Sequence, residues 1–158
     1  MMTKNQKAFL DMIAYSEIGE KLLQISDNGY NVIVGSTASH PNLFTSYADH
    51  PRELITLGGK LNIKSTAAGR YQILSRIFDY YKSFLQLPDF SPASQDAIAI
   101  QLIKERKAID PIELGQFELA VNRCATCWAS LPGSLYQQHT NSMDSLKTAY
   151  LNAGGVIS

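Results

Sequence analysis

Between residues 27 and 63 the chain carries no long periodic run, because Asp27-Asn28-Gly29, Gly35, Pro41, Pro51 and Gly58-Gly59 cut it into short pieces such as YNVIVG, LFTSY and ELITL. Glycine supplies positive φ, and proline fixes φ and removes a hydrogen-bond donor, so a segment punctuated this closely does not continue as a helix. The pieces are β-rich but short, and they predict a small two- or three-stranded sheet flanked by long loops. On either side the period becomes helical. Residues 4–17 place Phe9, Met12, Ile13 and Ser16 or Glu17 on one face, with Gly19 as a stop signal. From Thr66 onward the reading is again helical: RYQILSRIFDYYKSFLQL ends before Pro88, and Ser91-Pro92 opens ASQDAIAIQLIKERKAI with Ser as N-cap and Pro at the first helical position. Further helices are expected over about 116–129, stopping near Leu131-Pro132-Gly133, and about 143–152, closed by Gly154-Gly155. This order predicts an α+β fold, mainly helical, with a small antiparallel β-rich part.

A chain of 158 residues, 45% hydrophobic and 18% charged, fits one ordinary domain spanning residues 1–158. Fourteen basic and fourteen acidic residues leave no global field that would draw it to nucleic acid, and KERK (104–107) reads as a solvated helix face. The start, MMTKNQKAFLDMIAYSE, interrupts its apolar residues with Lys4, Lys7 and Asp11 and does not read as a signal peptide. No stretch approaches the roughly 20 apolar residues of a spanning helix, so folding in the cytoplasm without membrane insertion is expected. The cysteines are Cys124 and Cys127. With no nearby His pair they do not assemble a zinc site, and the helical stripe of Phe117, Val121, Cys124 and Trp128 favours two reduced, packed thiols over a redox pair. His40, His50 and His139 lie far apart in loop-like contexts, which supports neither a metal site nor a Ser-His-Asp arrangement. No cofactor-binding motif is present, and no cofactor is expected.

Two places offer chemistry. Glu17 follows Phe9 and Ile13 on the buried stripe of its helix, so a carboxyl group is delivered to the edge of the core. Desolvation there, and the negative end of the helix dipole, both disfavour the anion and raise the pKa toward that of a general acid near neutral pH. The alternative is a solvated Glu at a frayed helix end. The second place is STAAGRYQ (65–72), where small residues permit close approach of backbone to ligand. Tyr71 offers a flat face for a sugar ring, and Gln72 can donate and accept hydrogen bonds to hydroxyl or acetamido groups. Read alone, it is also an ordinary loop-to-helix junction. Asp49-His50-Pro51-Arg52 reads as a stabilised turn.

The ordered blocks AYSE (14–17), GYNVIVG (29–35), LFTSYADHPR (43–52), STAAGRYQ (65–72), DFSPASQDAIA (89–99), IKER (103–106) and NRCATCWASLPG (122–133) closely resemble the lambda phage endolysin family over nearly the whole chain. Ser-Glu followed by AAGRYQ is also similar to the Glu and G-x-x-Q pattern of goose-type lysozymes and soluble transglycosylases. The resemblance implies a lysozyme-like α+β fold with a glycan groove between a small β-rich lobe and a helical lobe. It implies a peptidoglycan lytic transglycosylase that cleaves the β-1,4 bond between N-acetylmuramic acid and N-acetylglucosamine, leaving a 1,6-anhydromuramoyl end. The family's catalytic Glu falls on Glu17, its GRYQ segment on Gly69, Arg70, Tyr71 and Gln72, and Tyr136 is expected to line the same groove. The expected partner is a glycan strand, with a holin needed for release from the host cytoplasm but not contacted, and a monomer is expected. One departure is Asn31, where a relative carries Asp, which weakens any role for a carboxylate at that position. Asp27 is an alternative carboxylate, or a cap for the Asp-Asn-Gly turn. The rivals are a hydrolase in which Asp27 or Asp49 positions water, and a glycan-binding module without catalysis.

Overall fold

The structure is a computed structural model that describes residues 1–59, 62–133 and 140–158. The chain divides into two compact units, Met1–Glu17 with Ala99–Ser158, and Ile18–Ile98. The described elements, in order, are α1 (Lys4–Ile18), α2 (Glu20–Ile25), β1 (Ile55–Thr56), β2 (Lys64–Ser65), α3 (Ser75–Phe84), α4 (Pro92–Glu105), α5 (Ile109–Glu113), α6 (Phe117–Cys124) and α7 (Met143–Asn152).

In the first unit, α1 is buried on more than one face: Ala8, Leu10 and Ala14 are enclosed together with Phe9, Met12 and Ile13. The sequence predicts a one-sided amphipathic helix, and the difference arises because small Ala8 and Ala14 let other chain segments pack on the flanks of the stripe. Phe9, Phe117 and Tyr150 form the aromatic centre, with ring centroids 4.8 to 6.3 Å apart. Trp128, Cys124 and Val121 are buried as the 117–128 stripe predicts, and both thiols are free. Burial pushes the Cys124 thiol up to about 12, so it stays protonated and inert. The termini are tied down. Asn5 Nδ2 donates to the Ile112 carbonyl at 3.0 Å, and Asn5 Oδ1 accepts from the Val156 amide at 3.0 Å. Helix α7 spans the predicted residues and is capped by Ser142, whose Oγ accepts from the Ser145 amide at 3.1 Å.

In the second unit the sheet is smaller than the sequence suggests. β1 and β2 pair antiparallel over two residues each, with Ile55 opposite Ser65 and Thr56 opposite Lys64. YNVIVG and LFTSY meet only through an isolated Val32–Leu43 bridge. The intervening Gly, Pro and Ser residues favour loop hydrogen bonds over a continued ladder, as where Ser36 Oγ donates to the Ile33 carbonyl at 2.6 Å. The core holds Phe78 and Phe90 with the buried His50, and the half-buried Phe44 packs against Phe90. The Arg52 amide donates to His50 Nδ1 at 2.9 Å and the Ile73 carbonyl lies 2.8 Å from Nε2, so the ring is neutral with its proton on Nε2. Burial lowers its pKa. The Asp49–Arg52 turn is thus a structural device, as its sequence suggests. Helix α4 begins on Pro92, with Ser91 Oγ 3.4 Å from the Ser94 amide.

Helix α1 ends at Ile18 because Gly19 adopts φ 88°, ψ 152°, a region open in practice only to glycine. A Cβ there would meet nothing within 4 Å, so the cost of adding one is purely conformational. Gly19→Ala is expected to lose about 1–3 kcal/mol of stability, read as a lower urea midpoint at unchanged m-value.

Candidate active site

Glu17 occupies the last turn of α1, one residue before its end. Its neighbour in sequence, Ser16, and the distant Ser130 and Asn141 converge on it within the first unit. Ser130 Oγ donates to Glu17 Oε2 at 2.7 Å. Ser16 Oγ lies 2.7 Å from Ser130 Oγ, and Asn141 Nδ2 reaches Ser16 Oγ at 3.0 Å and the Ser16 carbonyl at 3.2 Å. The segment carrying Ser130 is fastened by the Asn141 amide, which donates to the Ser130 carbonyl at 2.8 Å.

The residue as a whole is half-buried, but its carboxyl group is densely surrounded by protein. Desolvation raises its pKa from 4.5 to about 7, against the lowering effect of the Ser130 hydroxyl. The direction is the one the buried stripe predicts. A carboxyl poised near neutral pH can donate a proton and then, as an anion, take one back.

The GRYQ segment lies in the second unit, and there the structure corrects the sequence reading. Residues 68–73 are not the entrance to a helix. Ala68 and Ile73 exchange both backbone hydrogen bonds, at 3.1 and 2.8 Å, and close a tight loop over Gly69, Arg70, Tyr71 and Gln72. Gly69 at φ 85° and Gln72 at φ 50° are both left-handed, which excludes helix until α3 starts at Ser75. The loop's position is set by the Gly69 amide donating to the Val32 carbonyl at 2.8 Å and the Val34 amide donating to Ala67 at 3.0 Å.

Tyr71 is 1% exposed and Arg70 5%, so neither offers a face to a sugar ring. Instead Tyr71 Oη donates to Asp96 Oδ1 at 2.6 Å and accepts from Arg70 Nη1 at 3.0 Å, and Tyr30 Oη also donates to Asp96, at 2.9 Å. The Arg70 guanidinium lies over both tyrosine rings, 5.3 and 5.6 Å from their centroids. Burial keeps the Tyr71 hydroxyl protonated by raising its pKa. These residues therefore frame the loop from inside. Gln72, half-buried, uses Nε2 to donate to the Gly69 and Val32 carbonyls at 2.8 and 3.3 Å, which leaves Oε1 as the acceptor it presents.

Gln95 was not legible as a site-forming residue. It is wholly buried, its Oε1 accepting from the Arg70 amide at 2.9 Å and its Nε2 donating to the Phe90 and Tyr30 carbonyls at 2.9 and 3.1 Å. The turn at 27–31 is capped by Asn31 rather than Asp27: Asn31 Oδ1 accepts from the Asp27 amide at 2.9 Å. The Asp27 carboxylate instead accepts from the Tyr47 hydroxyl at 2.5 Å. Asp49 pairs with Arg52 at 2.9 Å, and Arg52 also reaches Asp79 at 2.6 Å. Tyr136 and His139 lie outside the described residues.

A family model described as Endolysin matches residues 7–157 of this chain. The chain belongs to the endolysin family. It is 50% identical to the endolysin of Escherichia phage lambda over 157 residues, covering 99% of this chain and 95% of that protein. It is 46% identical to the endolysin of Escherichia phage P2 over 156 residues, covering 97% and 94%. Among solved structures, bacteriophage lambda lysozyme complexed with a chitohexasaccharide matches with a TM-score of 0.92 at 47% identity, covering 100% of this chain and 99% of that one. A second structure, lysozyme from bacteriophage lambda, matches with a TM-score of 0.88 at 46% identity and the same coverage. This endolysin therefore has the lysozyme-like fold, mainly helical with a small antiparallel sheet, and is a peptidoglycan-degrading lysis enzyme. Among its described residues no helix is long and apolar enough to cross a membrane.

Proposed function

We propose that this endolysin is a lytic transglycosylase that uses Glu17 alone as its proton donor and acceptor. The observation that carries this reading is a single carboxyl group raised to about 7 by burial, with a hydroxyl as its hydrogen-bond donor. Protonated Glu17 donates to the glycosidic oxygen between N-acetylmuramic acid and N-acetylglucosamine as the C1–O bond breaks, and the N-acetylglucosamine leaves with a 4-hydroxyl. The carboxylate so formed takes the proton of the muramoyl C6 hydroxyl while O6 closes on C1. Glu17 is restored, a 1,6-anhydromuramoyl end is made, and no water is consumed. Because the nucleophile is already part of the substrate, attack gains from proximity and requires no second carboxylate, metal or cofactor.

A hydrolase would need a partner carboxylate to hold water or to act as nucleophile. Asp27 and Asp49 were the candidates, and their engagement with Tyr47 and Arg52 supports the one-carboxylate mechanism. That a lambda lysozyme of the same fold is complexed with a chitohexasaccharide supports a glycan strand as the ligand. In this reading Gln72 Oε1 accepts from a sugar hydroxyl or acetamido group, Gly69, Arg70 and Tyr71 hold Gln72 in place, and Tyr136 adds an aromatic face. The family match over residues 7–157 supports one catalytic domain, and in this reading the enzyme acts as a monomer. The enzyme would be made in the host cytoplasm and reach the wall once a holin has opened the membrane, without contacting the holin.

Mass spectrometry of fragments released from purified peptidoglycan tests this directly. Muropeptides lighter by one water, ending in anhydromuramic acid, are expected as the main product. Ordinary reducing ends in their place would identify a hydrolase and overturn the mechanism.

A further inference from the structure

The side chains behind Glu17 form a chain whose direction can be worked out atom by atom. Asn141 Nδ2 has no lone pair to offer, so it donates to Ser16 Oγ. Ser130 has one hydroxyl proton, and it goes to Glu17 Oε2. The 2.7 Å bond between the two serines must then run from Ser16 to Ser130. Each of the three donors points toward the carboxyl group, and the row is closed at its far end by an amide that cannot reverse it.

From this geometry we infer that Ser130, held in donor orientation by Ser16 and Asn141, is a positioning residue that decides which oxygen of Glu17 carries the reactive proton and steadies the anion left when that proton is given up. The inference rests on the reading of Glu17 as the acid. With Oε2 engaged as an acceptor, the acidic proton resides on Oε1, which makes that oxygen the donor to the glycosidic bond. Once the proton is transferred, the bond from Ser130 becomes charge-assisted and therefore stronger, so its help is greatest after the barrier-forming charge has developed. Hydrogen bonds in such a row polarise one another in the same sense, and loss of the distant amide is felt at the carboxyl group. Burial and Ser130 are the two causes of the Glu17 shift, and no charged side chain of the described residues enters it. A change in titration on altering Ser130 or Asn141 is therefore not the by-product of a lost ion pair.

The test titrates the Glu17 carboxyl carbon by NMR in protein labelled at glutamate, and measures kcat and KM across pH on solubilised peptidoglycan. Removing a donor to the anion raises the pKa. Ser130→Ala is expected to move the Glu17 titration and the alkaline limb of the rate profile up together by about one unit, and to lower kcat about 10-fold with KM little changed. Asn141→Ala should shift both in the same direction by less, and Ser130→Thr, which restores a hydroxyl, should return titration and profile toward wild type. A Ser130→Ala protein that is folded and slow, with unchanged titration and no rescue by Thr, would assign Ser130 a packing role and overturn the inference. The reading beneath it fails separately: retained cleavage by Glu17→Gln would remove Glu17 as the acid, whatever the Ser130 variants show.

Discussion

Glu17→Gln is expected to be both nearly inactive and, above neutral pH, more stable than the wild-type protein. General acid–base catalysis contributes roughly 10²–10⁴-fold, and here one group performs both proton transfers, so the loss should fall toward the upper end. The variant leaves the hydrogen bond in place, because an amide oxygen accepts from Ser130 as a carboxyl oxygen does. Its stability follows from the same burial that makes the acid. A folded pKa raised to about 7 from 4.5 means that the protonated form is the one the fold accepts. The corresponding stability is fully present below the unfolded value and is lost as pH rises through about 7. At pH 8.5 the wild-type protein therefore bears a desolvated anion that glutamine does not carry. The difference is at most about 3 kcal/mol, or a rise in Tm of up to roughly 10 °C, and it should vanish at pH 4. Calorimetry at the two pH values, beside turnover on purified walls, reads both effects. Near wild-type lysis would remove Glu17 from the chemistry, and equal Tm values at pH 8.5 would remove the desolvated carboxyl. Instability concentrated at one functional group is the expected trade between activity and stability.

How much of this was legible depends on whether a feature has a local cause. Glu17 was visible because helical period alone carries it from Phe9 and Ile13 to the edge of a core, and Gly19 and Ser91-Pro92 were visible because caps and breakers act within a few residues. Ser130 and Asn141 were not. They reach the site from 113 and 125 residues away and have no periodic signature that distinguishes them from loop polar residues. The GRYQ loop shows a different limit. Gly69 advertises its positive φ, but Gln72 also adopts one, and nothing in a glutamine announces it, so the helix was expected to begin early. Tyr71 was expected to face a sugar because its ring suits one, and what decides otherwise is the charge of Arg70 and Asp96 on either side of its hydroxyl, which only the folded chain brings together. Short α2 and α5, of six and five residues, fall below the length at which a period can be read.

Gly69→Ala should be the most disruptive single-methyl change in the second unit. At φ 85° an alanine is strained, which by itself costs of order 1–3 kcal/mol. The added Cβ would also overlap Gln95 Oε1 and come within 2.9 Å of its Cδ and 3.1 Å of the Phe90 ring. Gln95 has no room to withdraw, since it is wholly buried and its amide joins the Arg70, Tyr30 and Phe90 backbones. Moving it leaves buried backbone groups without partners at about 1–3 kcal/mol each, so a total near 4 kcal/mol and a fall in Tm of roughly 10 °C are expected. Gly19→Ala supplies the control, because it has a similar φ of 88° with nothing near the new Cβ. A Gly69 loss larger than the Gly19 loss, despite the glycine-only backbone region that Gly19 occupies, points to crowding against Gln95. A double-mutant cycle with Gln95→Ala then separates the causes: if the overlap is what matters, the double variant loses less than the sum of the single losses, since the group that alanine would strike is gone. Additive losses would instead place the whole cost of Gly69→Ala in the backbone. Because Gln72 takes its position from the Gly69 carbonyl, cleavage by the surviving folded Gly69→Ala protein should fall mainly through a higher KM.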